Sequence, residues 1–419
     1  MDSNLCMLKY YKKHIFLLKN KLNELEPTSN DFIPLLELQQ YIIERILDTE
    51  HKIKIKQEVL AELKKSLKNQ NNTKIQSKEI KSKIKKANNS INGYKYLLYV
   101  WRCFGDGIVF KYVNKWNLKR LLFESDSPEI KQTSGFIGGK TGIKKEWSLI
   151  KDATSNNVPA ILCDITNTIR HGDICLLGGS DPYVIEVKSS TNTNKRVDRQ
   201  VNAIDTIHSY LNNDEGNIGG VEGMCRVDIP VDEVHHNNAI NTVIVSAMKG
   251  EAISLSPEPG LYYIGLKVGT DKSFDELFKG IKEPVVYMLN QAKTDKRWIN
   301  YYPFTLSIET PESLYAFLNG EVFLLVVLDG VIIKELSKEI GYNLEIIMSE
   351  GVGFIYTKKI EGLDEPFKGI ASEHYVGRLG MEFQSLKWFF QKEKHLLAEI
   401  EKSLNGKFKM PNKSVEPKK

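Results

Sequence analysis

Three residues of this chain, Asp173, Glu186 and Lys188, have types and a spacing that could do chemistry. They lie in the run Ile169-Arg-His-Gly-Asp173-Ile-Cys-Leu-Leu177-Gly-Gly-Ser-Asp-Pro182-Tyr-Val-Ile-Glu186-Val-Lys188. Two apolar segments flank Gly-Gly-Ser-Asp-Pro, which signals a hairpin. Glu186 and Lys188 are two positions apart, so in a strand they share a face. Pro182 cannot donate to a ladder, so a four-residue loop over 179–182 sets Gly178 opposite Tyr183. Counting back, Leu177 faces Val184, Cys175 faces Glu186 and Asp173 faces Lys188, with acid, acid and lysine on one face. A slip of one residue would turn Asp173 to the other side. Two carboxylates a few ångströms apart repel, and a hard divalent cation relieves that repulsion. Bound Mg²⁺ (or Mn²⁺) can activate a water and neutralise charge on a phosphodiester oxygen. A neighbouring lysine can orient or deprotonate that water, or stabilise the phosphorane. An acid followed by Glu-x-Lys is thus a minimal kit for metal-assisted phosphodiester hydrolysis.

The elements that must hold this kit can be read on either side. A helix is expected over 144–154, carrying Glu146, and strands over 160–163, 173–177 and 183–187. A polar helix over 195–211 follows, opening on Lys195-Arg196-Val-Asp-Arg199-Gln200.

Asp173, then Glu186-Val187-Lys188 on a hairpin, then a helix, resembles the PD-(D/E)XK nuclease superfamily, and the block is similar to uncharacterised bacterial restriction and anti-phage defence nucleases. The resemblance covers residues 146–211, about a sixth of the chain. It implies a restriction-endonuclease-like α/β fold, a mixed sheet flanked by helices, and a metal-dependent nuclease. Asp173 and Glu186 would hold Mg²⁺ or Mn²⁺, with Glu146 as the helical acid that supports the metal and Lys188 acting on the water or the transition state. Gln200, Arg199, Lys195 and Arg196 would contact nucleic acid. DNA is the expected substrate, endonucleolytic cutting the expected reaction, and defence against foreign DNA the implied role. Two departures stand out: Gly172 occupies the place of the motif's proline, and Ile204 stands where a tyrosine would complete one helix signature of the superfamily.

The rest of the chain bounds these expectations. With 419 residues, 41% hydrophobic and 10% aromatic, it has enough apolar chain for two or three folded domains rather than wholesale disorder. Residues 51–90 hold twelve lysines against three glutamates, a charge of +9 when the whole chain is +5, so the remainder is near −4. A basic segment on a near-neutral body suggests a polyanion partner; a solvated helical arm is the plainer alternative. Leucine and isoleucine steps of three and four predict helices over 8–70 with a break between Pro27 and Pro34, a loop at 69–73, and a second helix over 77–87 that Asn88-Asn89-Ser90 closes. The expected division is a lysine-rich helical hairpin arm over 1–93, a nuclease domain over 94–230, an α+β C-terminal domain over 231–404 ending in a helix from 378, and a basic disordered tail over 405–419. Residues 216–238 read as a long loop.

Five scattered cysteines with no Cys-x-x-Cys pair exclude a zinc ribbon and disfavour a disulfide framework. The longest apolar run, Val322 to Leu328, is far below the roughly 18 residues a membrane span needs. The opening residues lack the basic-then-apolar order of a secretory signal, so the expected location is the cytoplasm, and the expected assembly is a homo-oligomer, with a partner protein left open. Gly138-Gly139-Lys140-Thr141 misses the first glycine of a P-loop and reads as a loop near the cleft. His171 and Cys175 read as packing residues, and His235-His236 as a weak metal pair. Two rival functions stay open: a non-catalytic nucleic-acid-binding or assembly protein on a nuclease-like fold, and a ribonuclease using the same trio.

Overall fold

The apolar steps near the start of the chain build α1 (Lys12–Glu24), α2 (Ile33–Leu67) and α3 (Lys74–Tyr112). The computed structural model describes residues 5–69, 71–133, 135–187, 195–226, 232–271, 273–359 and 365–404. The break around Pro27 and the loop before Thr73 are where the sequence puts them, and Thr73 with Gln76 forms a capping box at the start of α3. The expected stop at Asn88-Asn89-Ser90 is absent: α3 runs through it. Ala87 and Ile91 are buried on either side, and Ser90 turns its hydroxyl back to the Lys86 carbonyl (3.0 Å), so packing overrides three weak helix formers. The boundary expected at 93 therefore falls inside one helix.

The chain divides into two compact units, one within 1–227 and 290–321, the other within 228–289 and 322–419. Residues 290–321, expected in the C-terminal domain, thus belong with the first. Buried Lys19 of α1 donates to the Thr305 carbonyl (2.7 Å), and Thr305 in turn to the Cys103 carbonyl of α3 (3.0 Å), which ties that insert in.

In the first unit a short α4 (Lys115–Leu118) leads through a loop to α5 (Ile143–Ser155). Then come β1 (Ala160–Leu162), β2 (Ile174–Leu176) and β3 (Tyr183–Ile185), an antiparallel sheet in that order, and α6 (Lys195–Asn213). The outer edge of β1 is closed by α2: the buried Gln39 amide donates to Ala160 O and accepts from Leu162 N. The turn after β1 is held by α3, where Asp106 accepts the N–H groups of Asn167 and Thr168 and Arg102 donates to Asp164 O. Helix and turn meet closely: a Cβ on Gly105 would lie 2.0 Å from Ile165 O. Part of the expected long loop is instead a hairpin, β4 (Glu215–Ile218) and β5 (Val221–Cys225), turned by Gly219-Gly220 at positive φ.

The second unit has α7 (Asn237–Met248) and two antiparallel sheets. One runs β6 (Ile253–Glu258), β7 (Leu261–Lys267), β9 (Val322–Asp329), β8 (Pro284–Met288); the other β10 (Asn343–Ser349), β11 (Val352–Lys358), β12 (Phe367–Ser372). The chain is therefore mixed α/β, but every strand pairing among the described residues is antiparallel, in place of the expected mixed sheet. The helix expected from 378 is two, Arg378–Met381 and Leu386–Leu404, with Ser385 and the Leu386 N–H bound to the Glu258 carboxylate between them.

Beyond Ile53 on α2 and before Ala87 on α3 neither helix buries a residue. This lysine-rich end of the hairpin extends about 20 Å at 1.5 Å per residue. No helix among the described residues is long and apolar enough to cross a membrane.

Candidate active site

Strands β2 and β3 pair Ile174 with Ile185, Cys175 with Val184 and Leu176 with Tyr183. The ladder is thus two residues away from the expected register, because Leu177 leaves it to donate to Pro159 O (2.8 Å) and the loop becomes 177–182. A slip of two preserves the faces. Asp173 and Glu186 each lie just past the end of that ladder, beside the last paired residues Ile174 and Ile185. Asp173 N–H donates to Ile185 O (2.9 Å), and its Oδ2 accepts the Val187 N–H (2.8 Å), so the carboxylate is held by the strand it faces. Lys188 lies outside the described residues, as do the side chains of Lys195 and Arg196.

Glu146 enters from the first turn of α5, whose inner face carries Glu146, Ile150 and Thr154. It is 5% exposed, and its Oε2 has no hydrogen-bond partner among the described residues. Burial, then the charges of Asp173 and Asp164, push its carboxyl up to about 7, against the pull of Lys140; Glu186 adds to the rise. Burial likewise raises Asp173, opposed by the Val187 N–H and Lys140. Glu146 is therefore near enough to feel the charges of both Asp173 and Glu186, the other two acids named from the sequence.

Two members of the cluster were not foreseen. Asp164 follows β1, and Lys140 comes from the Gly-Gly-Lys-Thr loop; their side chains form an ion pair (2.5 Å). Burial opposes the ammonium of Lys140, but Asp164, with Glu146 and Asp173, outweighs it and holds the group above its ordinary value. The loop is shaped from α2: the buried Glu50 carboxylate accepts the N–H of Ile137 (3.0 Å) and of Gly138 (2.7 Å). The P-loop-like residues thus serve as a carboxylate-bound turn that delivers a lysine. Gly139, at φ +98, was the visible signal of that turn.

His171 is 2% exposed, and burial pushes its imidazole down to about 4, so it packs as a neutral ring. Cys175 is fully buried with its thiol raised by burial, an inert filler as expected. Arg199 and Gln200 line a cleft on α6.

Among the described residues, no group of three or more His, Cys, Asp or Glu is arranged to hold a metal ion. The donors present suit a cation that keeps water. Mg²⁺ takes hard oxygens and is commonly held by one or two carboxylates plus water and phosphate. Asp173 and Glu186 are carboxylates of that hard-oxygen kind, and the buried Oε2 of Glu146 has no hydrogen-bond partner among the described residues.

The raised Glu146 gives a pH signature. Between about pH 4.5 and 7 the unfolded chain releases this proton while the folded one keeps it, so stability falls as pH rises through that window. In metal-free buffer the stability difference between wild type and Glu146→Gln is expected to move towards the variant from pH 5 to pH 8. Thermal melts of the two proteins across that range check it; parallel curves would refute it.

No family model matches the chain, and neither a curated protein nor a solved structure matches it significantly.

Proposed function

We propose that this chain is a divalent-metal-dependent nuclease with a restriction-endonuclease-like core, hydrolysing phosphodiester bonds of DNA, with restriction or anti-phage defence as its setting. The observation that carries the reading is the convergence of Glu146 from a helix with Asp173 and Glu186 from a hairpin, one buried carboxylate oxygen of Glu146 lacking a partner among the described residues. Asp173 and Glu186 would hold the metal, and Glu146 would support it. When bound, Mg²⁺ or Mn²⁺ would lower the pKa of a water and offset charge on the phosphate. Lys140 keeps the cluster from carrying its full negative charge, and Asp164 fixes where that ammonium sits. Lys188 would orient the attacking water or stabilise the pentacoordinate phosphorus. The exposed lysines of the α2–α3 hairpin would track the phosphate backbone, which makes affinity fall steeply with salt.

The same hairpin would serve a non-catalytic nucleic-acid-binding protein, and the carboxylates address the phosphate rather than the sugar, so a ribonuclease is the other alternative. One experiment separates the three. Supercoiled plasmid, linear duplex, single-stranded DNA and RNA are incubated with Mg²⁺, Mn²⁺ or EDTA, using wild type and Lys188→Ala. Metal-dependent cutting of DNA by wild type only is expected. Cutting confined to RNA selects the ribonuclease, and salt-sensitive binding with no cutting selects the binder. Equal cutting by both proteins refutes the site.

A further inference from the structure

A cleft of about 480 Å³ is lined on one side by Glu124, Asp126 and Lys131 and on the other by Arg199, Gln200 and Thr206 of α6. Its aimed group is Lys131. The Lys131 Nζ donates to Nδ1 of His171 (3.2 Å) and stands 3.8 Å from the Glu124 carboxylate. His171, two residues before Asp173, is 2% exposed and donates from Nε2 to the Phe123 carbonyl (2.9 Å). That bond leaves Nδ1 as an acceptor, so a buried imidazole points the ammonium without neutralising it. Arg199 gives the facing wall a second cation, and Gln200 and Thr206 give it amide and hydroxyl groups.

The volume is that of a small-ligand site. Two cations suit one phosphate, while Glu124 and Asp126 repel a second and can accept from the hydroxyl or amino groups of a sugar or base. We propose that this cleft is a subsite for a single nucleotide unit, its phosphate held between Lys131 and Arg199. Placing that unit in the strand being cut rests on the nuclease reading; binding itself does not.

The test is a calorimetric titration in EDTA with thymidine 5′-monophosphate, with thymidine, and with the dinucleotide thymidylyl-thymidine. The proteins are wild type, Lys131→Ala, Lys131→Arg, Arg199→Ala and Asp173→Asn. Saturable binding of the monophosphate is expected, weakened about tenfold or more by Lys131→Ala, Arg199→Ala or loss of the phosphate. Lys131→Arg should retain it, which separates lost charge from lost folding. Asp173→Asn should bind as wild type does, so the result stands whether or not the chain cuts DNA. Competition by the dinucleotide places a strand in the cleft, and its failure to compete overturns that placement. Absence of saturable binding, or equal binding by wild type and both alanine variants, overturns the subsite.

Discussion

Asp173→Asn is expected to lower phosphodiester cleavage by about 10³-fold or more while leaving the fold in place. Asparagine has the same shape, and its carbonyl oxygen can still accept the Val187 N–H that Asp173 accepts now. The backbone bond from residue 173 to Ile185 O is untouched. What disappears is one negative charge close to Glu146, and with it half of the donor pair proposed for the cation. Removing that charge also removes a cause of the raised Glu146 carboxyl, so the variant should be at least as stable as wild type without metal. Plasmid cleavage with Mg²⁺ and a thermal melt of the same preparation check both halves. A variant that is folded and cuts at the wild-type rate would sink the assignment of Asp173.

The second large effect concerns the residue before it. Gly172→Pro puts a proline where the resembled motif has one, and it is expected to destabilise the first unit by about 3 kcal/mol or more and to abolish the proposed cutting. Gly172 has φ +66, whereas proline is held near −65°. A Cβ there would also stand 2.3 Å from Val184 Cγ1 and 2.9 Å from Ile185 O. The glycine is what lets the chain come this close to β3 before Asp173 engages it. Gly172→Ala should lie between wild type and the proline variant, since it adds the clash without locking φ. Urea denaturation of the three proteins, followed by activity at equal folded concentration, measures this. A proline variant as stable and active as wild type would mean that the hairpin enters differently.

The legible part of this site was the local part. The hairpin that carries Asp173 and Glu186 could be read from its two apolar runs around Gly-Gly-Ser-Asp-Pro, though its ladder pairs two residues away from the expected register. Glu146 was picked out because the resembled superfamily often places a supporting acid on the helix just upstream. Lys140 and Asp164 were not readable, because nothing in their neighbourhoods joins them. They meet only because Glu50 on α2 binds the 137–138 turn and Arg102 on α3 holds the backbone of Asp164. The same limit explains the other misreadings. Local propensity would end a helix at Asn88-Asn89-Ser90, but Ala87 and Ile91 have core to pack against. The Gly219-Gly220 turn was visible as a dipeptide, yet the strands around it have too little alternation to declare themselves. The break before Leu386 depends on Glu258, far away in sequence.

The bare end of the α2–α3 hairpin has a thermodynamic consequence. Helical segments of this length are marginal in water, and here Leu60, Leu63, Leu67, Ile80 and Ile84 are only half-buried. Local opening of this segment costs far less than opening the part of the hairpin that contains Ile42 and Trp101, so its amides exchange through fluctuations that leave the rest intact. Its charge is what makes it easy to open, because closely spaced lysines repel along and across the two helices. A polyanion laid against them would remove that repulsion and stabilise the helix by mass action. The segment that gathers the charge is therefore also the one whose order is set by what it meets.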